Sequence, residues 1–271
     1  MYENYWGLRE PPFAATTGEP ALFATPGREE ALARLHFLAS GRRRLGLLLG
    51  DWGVGKSLVL DVFADQLRGN PRRVAKVSAL GIDVCEFLAS IAMAWGHNVE
   101  AERGGRELWQ AVADRLAEHQ YQRLASVVLV DDADEASAEV LAQLARLAQW
   151  PVPADAHLTM VLAARRSGVH RLGRRLLELA DLRIDLWPWE APDVRSYIDH
   201  VLSRAGRNEP AFDSEALSRL HELSHGIPRR VQQLAELALV AAAGKKLPRA
   251  DVHTLEGVFE ELAIAEPAGR I

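Results

Sequence analysis

Cysteine is almost absent. Cys85 stands alone among 271 residues, which excludes an internal disulfide and any cysteine-rich metal site. The nine histidines show no paired spacing suited to zinc. No stretch approaches the ~20 uninterrupted apolar residues of a membrane-spanning helix. The first residues, Met1-Tyr2-Glu3-Asn4, lack the basic-then-apolar layout of a signal peptide, so the expected location is cytoplasmic. Internal repeats and low-complexity tracts are missing too. A formal net charge of −5 argues against wholesale electrostatic binding to nucleic acid but leaves room for a local basic surface. What remains is an ordinary composition, 48% hydrophobic and 25% charged, sufficient for one large domain or two smaller ones.

Against that background one stretch stands out. Leu45-Gly46-Leu47-Leu48-Leu49 is an apolar run that breaks into Gly50-Asp51-Trp52-Gly53-Val54-Gly55-Lys56-Ser57, the spacing of a phosphate-binding loop. Gly50, Gly53 and Gly55 can take backbone angles closed to other residues. Successive N–H groups and the positive end of the next helix then form a concave anion site. The expected ligands are ATP and Mg²⁺. Contacts come from Gly50, Asp51, Trp52, Gly53, Val54, Gly55, Lys56, Ser57 and Leu58, with Lys56 on the β/γ-phosphates and the Ser57 hydroxyl on the metal. Val59, Leu60, Phe63 and Leu67 recur at helical spacing until Gly69-Asn70-Pro71 stops the helix.

The second signal is Ser126-Val127-Val128-Leu129-Val130-Asp131-Asp132-Ala133-Asp134-Glu135. Branched apolar residues followed by acids read as a buried parallel strand that delivers carboxylates to the sheet edge. Beside a phosphate loop, Asp131 becomes the direct or indirect Mg²⁺ partner and Asp132 the group that orients or deprotonates water. Further strands are expected at Arg73 to Leu80, Leu158 to Ala164 and Leu182 to Leu186. Helices fall between them, at Glu29 to Leu38, Asp83 to Trp95, Glu107 to His119 and Ser137 to Gln149. From Trp187-Pro188-Trp189 onward only helical segments follow, near 191–205, 213–224, 228–243 and 250–263, which places a domain boundary near residue 188. The expected division is a nucleotide-binding core with an aromatic arm over 1–188 and a helical lid over 189–271. On residue types the arm, Tyr2 to Phe13, is an apolar cover for the core or a ligand contact. Arg42-Arg43-Arg44 reads as a solvated edge. Pro228 sets Arg229 at a helix start, where its guanidinium could reach a phosphate.

Strands alternating with helices and then a small all-helical unit fit the α/β class, a P-loop NTPase of AAA+ architecture. The chain resembles the ExeA-like AAA+ ATPases of the general secretion pathway type along nearly its whole length. The resemblance rests on Tyr5-Trp6-Gly7-Leu8 with Pro12-Phe13, Glu30-Ala31-Leu32-Ala33-Arg34-Leu35, the phosphate loop, Val128-Leu129-Val130-Asp131-Asp132-Ala133, and Tyr197-Ile198 followed by Gly226-Ile227-Pro228-Arg229. It implies an arm near the adenine, Arg229 as the sensor-2 residue, and Arg174, with Arg175 as alternate, as the arginine supplied to a neighbouring subunit. A homo-oligomer is therefore expected, and catalysis by Lys56, Asp132, Arg174 and Arg229. The chain departs from the resemblance at Asp132, where relatives carry Glu, and at Ala164-Arg165, where they carry Gly-Gln. It also ends at Ile271 without the membrane segment and peptidoglycan-binding part of the longer secretion members.

Three functions stay open at this point. One is an oligomeric MgATPase that resets a secretion or envelope-assembly protein. Another is an ATP-dependent regulator on DNA that directs a transposase, as ATPases of the TnsC and TniB kind do. The third is a nucleotide-binding scaffold with very slow turnover, suggested by Asp132.

Overall fold

In the computed structural model, which describes residues 2–13, 23–41, 43–68, 71–97, 104–151 and 157–265, the leucine run folds as strand β1 (Leu45–Leu49), buried along its whole length. It lies inside a five-stranded sheet with β2 (Arg72–Ser78), β3 (Ala125–Asp131), β4 (Leu158–Ala164) and β5 (Leu182–Asp185), in the order β2-β3-β4-β1-β5. All pairs are parallel, so every strand ends at the same edge. The strand order reverses around β1, the place where open α/β sheets hold ligands.

Parallel strands covered on both faces read as continuous apolar runs, and β1, β3 and β4 do. Successive side chains alternate faces. Leu45, Leu47 and Leu49 face a core with α4 (Val84–Ala94), α5 (Gly105–Tyr121) and α6 (Ala138–Ala148). Leu48 is equally buried but lies outside that cluster, on the side of α2 (Pro26–Ser40) and α3 (Lys56–Leu67). Gly46 explains how α2 comes so close, since a β-carbon there would stand 2.6 Å from Leu38 Cδ2. The helices begin where their sequences offer caps. Asp83 and Glu86 form a reciprocal box at α4, and Ser137 Oγ accepts the Val140 N–H at α6.

Thr17–Asp51 with Lys56–Leu186 form one compact unit. Trp187–Ile271, together with Met1–Thr16 and the turn Trp52–Gly55, form the other. In the second unit α8 (Ala191–Arg204), α9 (Ser214–Ser224), α10 (Pro228–Gly244) and α11 (Val252–Ala265) follow one another. The arm groups with these helices, a different division from the expected 1–188. It also contains a short helix, α1 (Tyr2–Trp6), that its aromatic and proline content did not suggest. Trp6 is buried and donates its indole N–H to the Leu239 carbonyl at 2.9 Å, and the Tyr5 hydroxyl donates to the Leu247 carbonyl at 2.9 Å. These bonds satisfy the polar ends of aromatic side chains that pack on α10.

Two expectations need correction. Arg44 is not a solvated edge residue. Its guanidinium donates to the Ala148 carbonyl at 3.0 Å, and its N–H, with that of Leu45, is accepted by Asp181 Oδ2. Gly50 does not adopt positive φ, as Gly53 (80°) and Gly55 (103°) do. It continues the ladder, its N–H donating to the Ala164 carbonyl at 3.2 Å. Arg42 and the helix stop Gly69-Asn70 lie outside the described residues.

A buried histidine gives the sheet unit a pH-dependent stability. His119, on α5, is 3% exposed, pairs through Nδ1 with Ser126 Oγ at 2.9 Å and meets the Trp95 ring edge-on. Burial, helped by the nearby Arg73, lowers its pKa from 6.5 to about 4. The unfolded chain therefore takes up a proton, below pH 6.5, that the folded chain refuses until about pH 4. The stabilisation is complete above pH 6.5 and is lost on acidification, by roughly 2 kcal/mol at pH 5. Urea unfolding of wild type and His119→Gln at pH 7 and pH 5 checks this, the variant being expected to lose that part of the pH dependence.

Candidate functional site

The phosphate-loop geometry is built from β1, a turn and the first turn of α3. Gly53 and Gly55 bend the chain through the left-handed region that side chains disfavour. Lys56 is 8% exposed, and its Nζ donates to the carbonyls of Gly50 (2.9 Å) and Asp51 (3.2 Å). Burial pushes its pKa below the ordinary lysine range, while Asp131, Asp134, Asp132 and Asp51, in that order, work against the shift. Four acidic side chains thus favour the charged form of this one lysine. Ser57 is exposed at the start of α3. Its carbonyl accepts from Lys76 Nζ at 3.5 Å, and Lys76 is also paired with Asp61 at 2.5 Å.

The end of β3 supplies the acids. Asp131 is 6% exposed, and its Oδ1 accepts the Asp132 N–H at 3.0 Å. Asp132 sits in the left-handed conformation (φ 51°, ψ 37°) and opens a 3₁₀ turn, Ala133–Glu135. The register places Ser78 of β2 opposite Asp131, and the Ser78 hydroxyl donates to Asp132 Oδ2 at 3.3 Å. Burial, followed by the neighbouring Asp131, raises the Asp132 pKa, and the serine bond opposes that.

The arginines divide into three situations. Arg165, at the end of β4, is committed to carboxylates. Its N–H and Nε donate to Asp134 at 3.1 and 2.7 Å, and Nη2 pairs with Glu135. Arg166 bridges Asp185 and the Leu186 carbonyl. Arg174, on α7 (Gly173–Leu179), has a 90% exposed side chain and pairs with Glu178 at 2.6 Å, and Arg175 donates to Gln149. In the helical unit, Arg229 donates its backbone N–H to the Gly53 carbonyl at 3.3 Å, and its guanidinium lies 5.6 Å from the centre of the Trp52 ring. Cβ and Cδ of the same arginine flank Gly53.

These positions bring Lys56, Asp131 and Asp132 to one sheet edge, whereas Arg174 stands on the surface. Sequence reasoning missed three participants: Ser78, Asp134 and Trp52 as the surface under Arg229. The first depends on strand pairing and register, which a single sequence does not specify. The other two depend on long-range packing.

Whether a nucleotide with Mg²⁺ fits can be tested on these residues. Among the described residues no group of three or more His, Cys, Asp or Glu could hold a metal ion. A dedicated protein cage is therefore not offered. One buried carboxylate and one helix-start hydroxyl are offered instead, which suits Mg²⁺, an ion that keeps waters and shares phosphate oxygens.

Residues 39–172 match the model of a family described as an AAA domain. Over 272 aligned residues the chain is 30% identical to General secretion pathway protein A of Aeromonas hydrophila, the match covering 96% of this chain and 50% of that protein. The chain thus spans half the length of that relative. Among solved structures it is similar to Cdc6p from Pyrobaculum aerophilum, with a TM-score of 0.70, 17% identity and coverage of 94% of this chain and 74% of that one. It is also similar to the Aeropyrum pernix ORC1 protein in complex with DNA, with a TM-score of 0.67, 18% identity and coverage of 88% and 66%. Identities this low establish the fold alone, and that fold is the expected AAA+ P-loop architecture. Among the described residues no helix is long and apolar enough to cross a membrane.

Proposed function

We propose that this protein, whose residues 39–172 match the AAA domain family model, binds ATP with Mg²⁺ at Gly50 to Leu58 and hydrolyses it as an oligomeric switch acting on a secretion or envelope-assembly protein. The observation that carries the reading is the buried Lys56 beside the carboxylates of Asp131 and Asp132 at the edge where β1 and β3 end. The loop amides and Lys56 oppose the triphosphate charge, and Ser57 and Asp131 are the residues that hold Mg²⁺. When bound, the ion neutralises charge on the β- and γ-phosphates. Asp132, half-buried and bonded by Ser78, orients water or takes its proton. Arg229 takes the sensor-2 role that the resemblance implies, and the exposed Arg174 completes a neighbour's site.

The assignment is tested by ATP turnover with and without DNA, together with oligomer size in each nucleotide state. ATP-dependent assembly with DNA-independent turnover is the expected result. Turnover that requires DNA would move the assignment to a DNA-associated regulator of transposition.

The two acids separate in their effects. Asp131→Ala weakens the Mg²⁺ dependence, whereas Asp132→Asn keeps ATP bound and slows turnover by roughly one or more powers of ten. Equal loss of ATP binding in both variants contradicts the division. Asp132→Glu probes the shorter acid directly, faster turnover meaning that aspartate acts as a brake.

Arg174 acts in trans. Arg174→Ala is expected to bind ATP normally, to lose most turnover, and to regain part of it when mixed with Lys56→Ala subunits that still donate their own arginine. A co-assembled mixture no more active than its components returns Arg174 to the solvated surface.

A further inference from the structure

Arg165 directly follows β4, and its surroundings differ from those of a residue aimed at a ligand. Asp134 is buried, with a side chain 1% exposed, and holds Arg165 by two bonds, one to each carboxylate oxygen. Glu135, next in the same 3₁₀ turn, pairs with Arg165 and also with Arg171 at 3.2 Å. Gly168 completes the arrangement. A β-carbon there would lie 2.9 Å from Asp134 Cβ and Cγ and overlap its Oδ2, so only glycine lets that carboxylate enter. Two acids of one turn, two arginines and a glycine of another are therefore interlocked. The first turn begins at Asp132; the second runs through Val169–Leu172 into α7, which carries Arg174.

We propose that Arg165 is a positioning residue, clasping Asp134 and Glu135 so that the turn carrying Asp132 and the segment leading to Arg174 are held as one piece. The proposal rests on the hydrolytic reading above for its consequence, though not for its geometry. Asp132 is in a left-handed conformation, which aspartate reaches at modest cost and keeps as its single state where neighbouring turns constrain it. The clasp supplies that constraint from the C-terminal side of the turn. It also withdraws the guanidinium from contact with a phosphate, because the Nε and Nη2 donors face carboxylates. A buried ion pair is costly to break from one side only, since the partner charge is left without compensation.

Three variants test the clasp: Arg165→Gln, Asp134→Asn and the double variant, in which two amides face each other. Backbone hydrogen exchange of residues 132–136 and 166–172 is read together with kcat, KM and the ratio of ATP to ADP affinity. Each single variant is expected to accelerate exchange in both segments together. Each should also lower kcat by about tenfold or more, with KM and the affinity ratio within roughly threefold of wild type. The double variant is expected to recover at least half of the lost protection and kcat. Should Asp134→Asn not yield folded protein, Arg165→Lys, which keeps the charge without the fork of donors, carries the comparison. Unchanged exchange with a collapsed ATP-to-ADP ratio in Arg165→Gln would overturn the proposal and make Arg165 a phosphate contact. Faster exchange with unchanged kcat overturns it in favour of packing alone. The exchange comparison needs no turnover, so a wild type that binds ATP without hydrolysing it refutes the hydrolytic reading while exchange alone decides the clasp.

Discussion

Lys56→Ala is expected to weaken ATP binding by about 100-fold or more, the equivalent of roughly 3 kcal/mol, on the scale of one or two charge-assisted hydrogen bonds. Two losses combine. The triphosphate loses the ammonium that faces its β/γ end, and Asp131, Asp132, Asp134 and Asp51 lose the cation whose charge they share. Asp131 and Asp132 then confront an anionic ligand without that cation, whereas Asp134 and Asp51 keep Arg165 and Arg166 as partners. The carbonyls of Gly50 and Asp51 also lose their Nζ donor, so the loop is less defined before any ligand arrives. Calorimetric titration with MgATP, alongside thermal unfolding to establish that the variant is folded, measures the effect. Lys56→Arg is the informative companion. It keeps the charge but places a planar fork where a compact ammonium fits, and is expected to fall between wild type and alanine. Wild-type affinity in a folded Lys56→Ala would remove the central assignment.

Gly226→Ala is expected to have the largest effect on folding, and it lies outside the residues that touch phosphate. Gly226 has φ +65°. Its N–H and C=O are both engaged: the carbonyl accepts the Trp189 N–H at 2.8 Å, and the N–H donates to the His221 carbonyl at 3.2 Å. A β-carbon would overlap the Trp189 carbonyl oxygen and stand 3.0 Å from its carbon and 3.2 Å from its nitrogen. The obstacle is backbone, and that backbone is fixed. The Trp189 carbonyl pairs with His221 Nε2 at 3.1 Å, and the indole is buried against Tyr197, 4.7 Å between ring centres. Left-handed strain of about 1–2 kcal/mol adds to the steric cost, for a total of roughly 3–5 kcal/mol. On a helical unit of this size that corresponds to a fall in Tm of about 10 °C or more. Gly244→Ala is the control, since a β-carbon there meets nothing within 4 Å. Equal melting temperatures for the two variants would show that the helix start at Pro228 does not depend on this contact.

The Gly-Ile-Pro-Arg signature therefore has a physical content that its letters only half disclose. Proline at a helix start and an arginine beside it are readable in sequence because each follows from local backbone rules. The need for glycine at 226 is not, because it comes from Trp189, 37 positions earlier. The same division runs through the rest of the molecule. β1, the phosphate loop and β3 were legible because long apolar runs ending in glycines or acids have few other folds available. Gly50 was misread because its place in the ladder, bonded to Ala164, depends on a strand more than a hundred residues away. The bond from Ser78 to Asp132 follows from register, which a single sequence does not specify. Arg44 looked solvated because a basic run usually is, and only the fold reveals that Ala148 and Asp181 meet it.

The left-handed backbone at Asp132 bears on how far this acid can be altered. Aspartate is among the few residue types that take that conformation at little cost, through its short polar side chain. Glutamate, one methylene longer, does so less readily. Reach toward water and ease of the backbone turn are therefore opposed at one residue. A chain that adopts the longer acid gains reach and stores strain, whereas this chain holds a relaxed turn with a shorter arm. Speed and stability at Asp132 should consequently move in opposite directions across Asp, Glu and Asn. The relative order of turnover and of melting temperature in that small series would reveal which of the two the chain has kept.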